Sequence, residues 1–250
     1  MTARSIETSP LLYARIGGAL YLAIILCGAF AEGFVTGKLV VGGDAAATAR
    51  NILAAPELWQ LGVAGNVLLV LCAVPLLWIE YLLLRPVSRS LVLLAAMLNL
   101  VSLAVEAVSK VFMLLVLPTL QSAQHQPSFD PAQLPLLAHF ALKAHGISFN
   151  VALLFFGLTC LVNGYLIVQS GYIPRWVGRL MQVAGAAYLV ACSAALFLPA
   201  LAGVLLPGIL VLPLVGESSF CLWLLIRGVD RTKWQARVGQ QPEPAAVLAR

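Results

Sequence analysis

Six long apolar runs, at about residues 13–35, 57–84, 90–117, 136–168, 174–198 and 205–226, take up most of this chain. Each approaches or exceeds the roughly 20 residues a helix needs to cross the hydrocarbon of a bilayer. Backbone N–H and C=O groups in lipid find no water, so they must pair internally, and these runs are too long and continuous for barrel strands. The expected fold class is therefore all-α: an integral membrane helical bundle of about six transmembrane helices. Charged residues make up 10% of the 250, against about a quarter in an ordinary soluble domain. So little charge cannot cover an apolar core of this size in water.

The net charge of +5 is explained by orientation in the membrane. With the N-terminus inside, 11 of the 15 Lys and Arg fall on the cytoplasmic side, among them Arg15, Arg85, Arg89, Arg175, Arg179 and Arg227. Only Lys38 and Arg50 fall outside, while Lys110 and Lys143 lie within spans. That imbalance predicts an N-in/C-in arrangement with an even number of spans. No basic run interleaved with aromatics suggests a nucleic-acid surface. The expected partners are membrane lipids and a small or lipidic ligand.

The chain divides into a cytoplasmic segment 1–12, a single membrane domain 13–226 and a basic tail 227–250. The tail is expected to be disordered beyond a first basic turn. In the first outer loop, Gly42-Gly43 makes a turn and Asp44 is a good N-cap for a short interfacial helix over Ala45–Ala54. The third span is expected to end at Pro118. Pro199 and Pro207 bracket a short outer turn, and Pro213 kinks the last span; a re-entrant arrangement is an alternative there. Ala29-Phe30-Ala31 resembles a signal cleavage site, and cutting there would leave five spans.

Four stretches carry a family resemblance. They are ARIGGALYLAIILCGAFAEGF at 14–34, YLLLRPVSRSLVLLAA at 81–96, LLFFGLTCLVNGYLIVQSGYIPRWVGRL at 153–180, and GESSFCLWLLIRGVD at 216–230. Together they resemble the DUF4386 family of uncharacterised bacterial multi-span membrane proteins. The resemblance implies a multi-span inner-membrane protein and no particular activity. Its most specific pieces are two cytoplasmic loops, with Arg85 and Arg89 in one and Gly171, Pro174 and Arg175 in the other. Gly and Pro there make tight turns, and the arginines anchor at headgroup level.

Ionisable residues inside a membrane are costly and mark the places where function would sit. Glu32 lies 17 residues past Arg15, and Glu106 lies 17 past Arg89, so both are roughly 25 Å from the inner side. Glu217 lies 10 residues before Arg227, about 15 Å in. Glu80, close to Arg85, is expected at the interface. In the third span Asn99, Ser102, Glu106 and Lys110 share one helical face, and Glu106–Lys110 is the favourable i,i+4 order. In the fourth span His139, Lys143, Gly146 and Asn150 share a face, with His145 pointing elsewhere. Facing stripes predict a polar pocket opening outward and lined by Glu32, Asn99, Glu106, Lys110, Lys143 and His145, with Glu217 below. The alternative is a set of ion pairs that fixes helix register.

The five cysteines all lie in apolar runs without a CxxC pair, as free thiols acting as small hydrophobes would. His139 and His145 are six apart, not i,i+4, and no HExxH, phosphate loop or dinucleotide fingerprint occurs, so neither metal nor cofactor is expected. Three functional readings stand. One is a pocket that binds or passes a small or lipidic ligand. Another is a membrane-embedded enzyme using Glu106 or Glu217 with His145 as acid and base. The third is a structural or accessory subunit.

Overall fold

The computed structural model describes residues 9–122 and 133–239. Expectations that fall on residues 1–8, 123–132 and 240–250 lie outside the described residues. Helix α1 covers Pro10–Leu39, α2 Ala45–Ala54, α3 Pro56–Leu84, α4 Arg89–Gln121 and α5 Leu134–Ser170. Helix α6 covers Arg175–Phe197, α7 Pro199–Leu205, α8 Gly208–Ile226 and α9 Arg231–Gly239. Helices α1, α3, α4, α5, α6 and α8 are long and apolar enough to cross a membrane. The chain is an all-α, multi-pass membrane protein.

Each spanning helix packs on the next in chain order, and α8 returns to α1, so the six form a closed ring. Leu26, Leu71, Leu100, Val190 and Ile226 are exposed on its outside. That surface suits lipid, which is as apolar as leucine. Lipid gives helices no hydrophobic reason to associate, so the seams depend on close packing of small residues. A Cβ on Gly18 of α1 would sit 2.5 Å from the backbone N of Leu225 in α8. Along α5 and α6, a Cβ on Gly164 would meet Gly178 O at 2.6 Å, and one on Gly185 would meet Gly157 O at 2.5 Å. Gly171 turns the chain between these two helices at φ +76°, a conformation that L side chains rarely adopt.

The two ends of the ring differ. At one end Asp44 caps α2 by accepting from Ala47 N at 2.8 Å. Thr48 pairs with both Val41 N and Val41 O, and Asn51 donates to Leu39 O at 3.2 Å. Ile52 is fully buried in a cluster with Trp59, Met113 and Leu117, so α2 is more than a connector: it packs onto α4 and α5. The other end carries the arginine-rich turns. There α9 folds back, its fully buried Trp234 donating to Leu83 O at 3.2 Å. Tyr172 donates to the same carbonyl at 2.7 Å, and Arg237 donates to Gln169 O at 2.9 Å. Burial holds the Tyr172 phenol above its ordinary pKa.

Several sequence expectations are corrected. Helix α4 runs through Pro118 to Gln121. A proline there forfeits only the one hydrogen bond to Leu114 O, a loss that a helix already more than seven turns long survives. The segment between Pro199 and Pro207 is a seven-residue helix rather than a turn. The tail begins as a helix because Trp234 gives it something to bury, which its charges concealed.

Candidate ligand cavity

Residues 29–36 of α1 are π-helical. A π turn widens the helix and shifts the phase of the residues after it, and such turns are frequent at functional sites. Glu32 sits in this stretch, facing the ring. Its Oε1 lies 3.5 Å from Lys110 Nζ and 3.5 Å from His145 Nε2. Lys110 also lies 3.5 Å from Glu106 Oε1 and 4.4 Å above the ring of Phe149. His145 Nδ1 lies 3.2 Å from Ser109 O. A carbonyl only accepts, so Nδ1 carries a proton. Two acidic side chains, a lysine and an imidazole thus form one contact group.

The second stripe is corrected in phase. On α5 the inward residues are Ala138, Ala141, His145 and Ala152, all buried. Lys143 is exposed and does not join the cluster, and Asn150 bonds back to Gly146 O at 2.8 Å. Polarity was a misleading guide there, because a lysine stem can lie on apolar surface with its head pointing outward. On α4 the face was read in the right phase: Asn99, Ser102, Glu106 and Lys110 are all buried.

Nearer the arginine-rich end, Glu217 of α8 accepts hydrogen bonds from two phenols. Tyr21 of α1 donates to Oε2 at 3.1 Å, and Tyr188 of α6 donates to Oε1. Phe220 packs edge-on against Tyr21, and Phe156 against Tyr188. Glu80 is not interfacial as expected. It is buried, and Asn163 of α5 donates to its Oε2 at 3.1 Å. Sequence reasoning missed Glu80, Asn163, Tyr21, Tyr188 and Asn66. The two asparagines were detectable, since an amide in the middle of an apolar run is costly unless it has a task.

These groups surround a central cavity of about 480 Å³ to which all six spanning helices contribute. Its depth is marked by Glu32 and Glu106 at the α2 end and by Glu217 and Glu80 further in. Two amide oxygens in its wall, Asn66 Oδ1 and Asn99 Oδ1, are buried without a hydrogen-bond partner among the described residues. Helices α1 and α8 touch through Gly18, Tyr21, Phe220 and Cys221 at the arginine-rich end. Toward the α2 end, Gly33 of α1 and Leu210 and Leu214 of α8 line the cavity while remaining exposed. Both helices thus contribute exposed residues to the lining at that end. A depression of similar volume between α3 and α4, floored by Trp59 and Leu117, carries no ionisable side chain.

The family profile described as "Domain of unknown function (DUF4386)" matches residues 16–228. The chain belongs to the DUF4386 family. The matched stretch takes in every cavity-lining residue of this DUF4386 protein, and it stops short of α9. The chain is 25% identical over 166 residues to an uncharacterised protein of Archaeoglobus fulgidus, covering 66% of this chain and 83% of that one. No solved structure matches. In the loop motif, Gly171 closes α5 and Pro174 precedes α6, while Arg89 and Arg175 are exposed and Arg85 is half-buried. All five cysteines are free thiols.

Proposed function

We propose that this protein binds a small or lipidic ligand in the central cavity, admitted sideways from the membrane through the gap between α1 and α8. The observation that carries this reading is a ligand-sized cavity, lined by all six helices, with carboxylates along its length. Pockets of about 300–1,000 Å³ with apolar walls and a few placed polar groups are the usual form of a small-molecule site. A purely structural set of ion pairs would not need such space. Acid–base catalysis draws less support: His145 has both ring nitrogens engaged and does not line the cavity.

The arginine-rich end faces the cytoplasm, on the charge imbalance, and the α1–α8 gap lies in the opposite leaflet. A fluorescent-protein fusion to the C-terminus should then fluoresce; an active alkaline phosphatase at that position would reverse the assignment. Filling the cavity tests the binding reading. Protein released gently from membranes should carry a bound mass in native mass spectrometry. Ala73→Trp, which projects an indole into the cavity, should lose that mass while unfolding at a similar temperature. An identical bound mass in both proteins would overturn the reading.

A further inference from the structure

We infer that the ligand this cavity takes is a lipophilic organic cation, an amine on an apolar body; this rests on the binding reading above. The ionisable side chains of acid or base type in the cavity wall are all carboxyls. The described lining contains the carboxylates of Glu32, Glu80, Glu106 and Glu217 and no Lys, Arg or His. The nearby cations, Lys110 and His145, are held at the α2 end against Glu32 and Glu106. Glu217 and Glu80 are left deeper in with neutral partners alone: two phenols for one, an amide for the other. A buried carboxylate without a counter-charge is expensive, and a bound cation removes that cost.

Hydrogen-bonding capacity is one-sided in the same direction. Most of the donors in this wall are already used. Tyr21 and Tyr188 give their protons to Glu217, Ser102 gives its proton to Ala152 O, and the Asn66 amide points at Met113 Sδ. Acceptors remain. Asn66 and Asn99, two of the lining residues, each carry a buried Oδ1 with no hydrogen-bond partner among the described residues. An occupant that brings donors and positive charge, and few acceptors, complements this lining. A primary ammonium has three N–H donors and no acceptor. A phosphate or carboxylate is the reverse. Phe156 and the two tyrosines offer aromatic faces to a cation, and Ile24, Leu69 and Leu153 offer walls to an alkyl body.

The experiment compares three probes with one alkyl chain: decylamine, decanol and decanoate. Each is titrated as a radiolabelled ligand onto the full-length protein in phosphatidylcholine nanodiscs. Decylamine should bind saturably and at least about tenfold more tightly than decanol, the scale of a hydrogen-bonded charge contact. Decanoate should not bind. Glu217→Gln combined with Glu80→Gln, close in shape to the native pair, should remove that preference. Equal binding of decylamine and decanol, or preferred binding of decanoate, would overturn the cation inference and leave cavity binding standing. A decylamine preference that persists in the folded double variant would also overturn it. Failure of all three probes to bind saturably would overturn the binding reading as well. The comparison of probes on the unaltered protein decides the question even if the double variant does not fold.

Discussion

Lys110 is enclosed by Glu32, Glu106 and the ring of Phe149, with its side chain 3% exposed. Removing one member of a buried charge pair leaves the other uncompensated, at a cost of about 3–5 kcal/mol. Lys110→Met should destabilise the protein by an amount of that order, read as a fall in thermal unfolding temperature in detergent. Adding Glu106→Gln should recover part of the loss, because one of the stranded carboxylates then disappears. No recovery would mean that the pair is not coupled as described. Much of this cluster is legible in the sequence, since Glu106 and Lys110 stand four apart on a helix and a face follows from spacing. His145 and Lys143 are not distinguished that way. A helix has one inward stripe, and here small residues rather than polar ones mark it. Glu80 was misplaced because its distance from Arg85 along the chain says nothing about which way its helix face points.

At the scale of elements, the α5–α6 seam rests on glycines seven apart: Gly157 and Gly164 on one helix, Gly178 and Gly185 on the other. The pairs are equidistant from the Gly171 turn, so the hairpin closes with each glycine against its partner. Gly164→Ala would place a methyl carbon 2.6 Å from Gly178 O, which is backbone and cannot yield cheaply. The helices must separate, and overpacking of this kind costs about 1–3 kcal/mol. Gly146→Ala meets nothing within 4 Å and should leave thermal stability unchanged or raised. Equal loss in the two variants would show that the seam is not where the packing is tightest. Helix existence followed from apolar length alone, so all six spanning helices were readable. Helix ends were not. Pro118 reads as a stop and is passed, and α9 reads as a solvated basic tail until Trp234 is given a place to dock.

At the scale of the whole molecule, six apolar helices determine a membrane bundle but not what lies at its centre. The cavity runs from Tyr21 and Glu217, near where Gly18 of α1 admits Leu225 of α8, to Glu32 and Glu106 toward the α2 end. Such a cavity has no signature in hydropathy, and neither does the set of carboxyl groups it gathers. Both arise from residues far apart in sequence, such as Tyr21 and Glu217, 196 positions apart. The measurement that bears most directly on the central cavity is an experimental density map of the protein in lipid nanodiscs containing its native membrane lipids. Non-protein density between Asn99 and Glu217, continuous with the gap between α1 and α8, is the predicted result. A ring with α1 and α8 closed along their whole length, and no space between the four carboxylates, would contradict it.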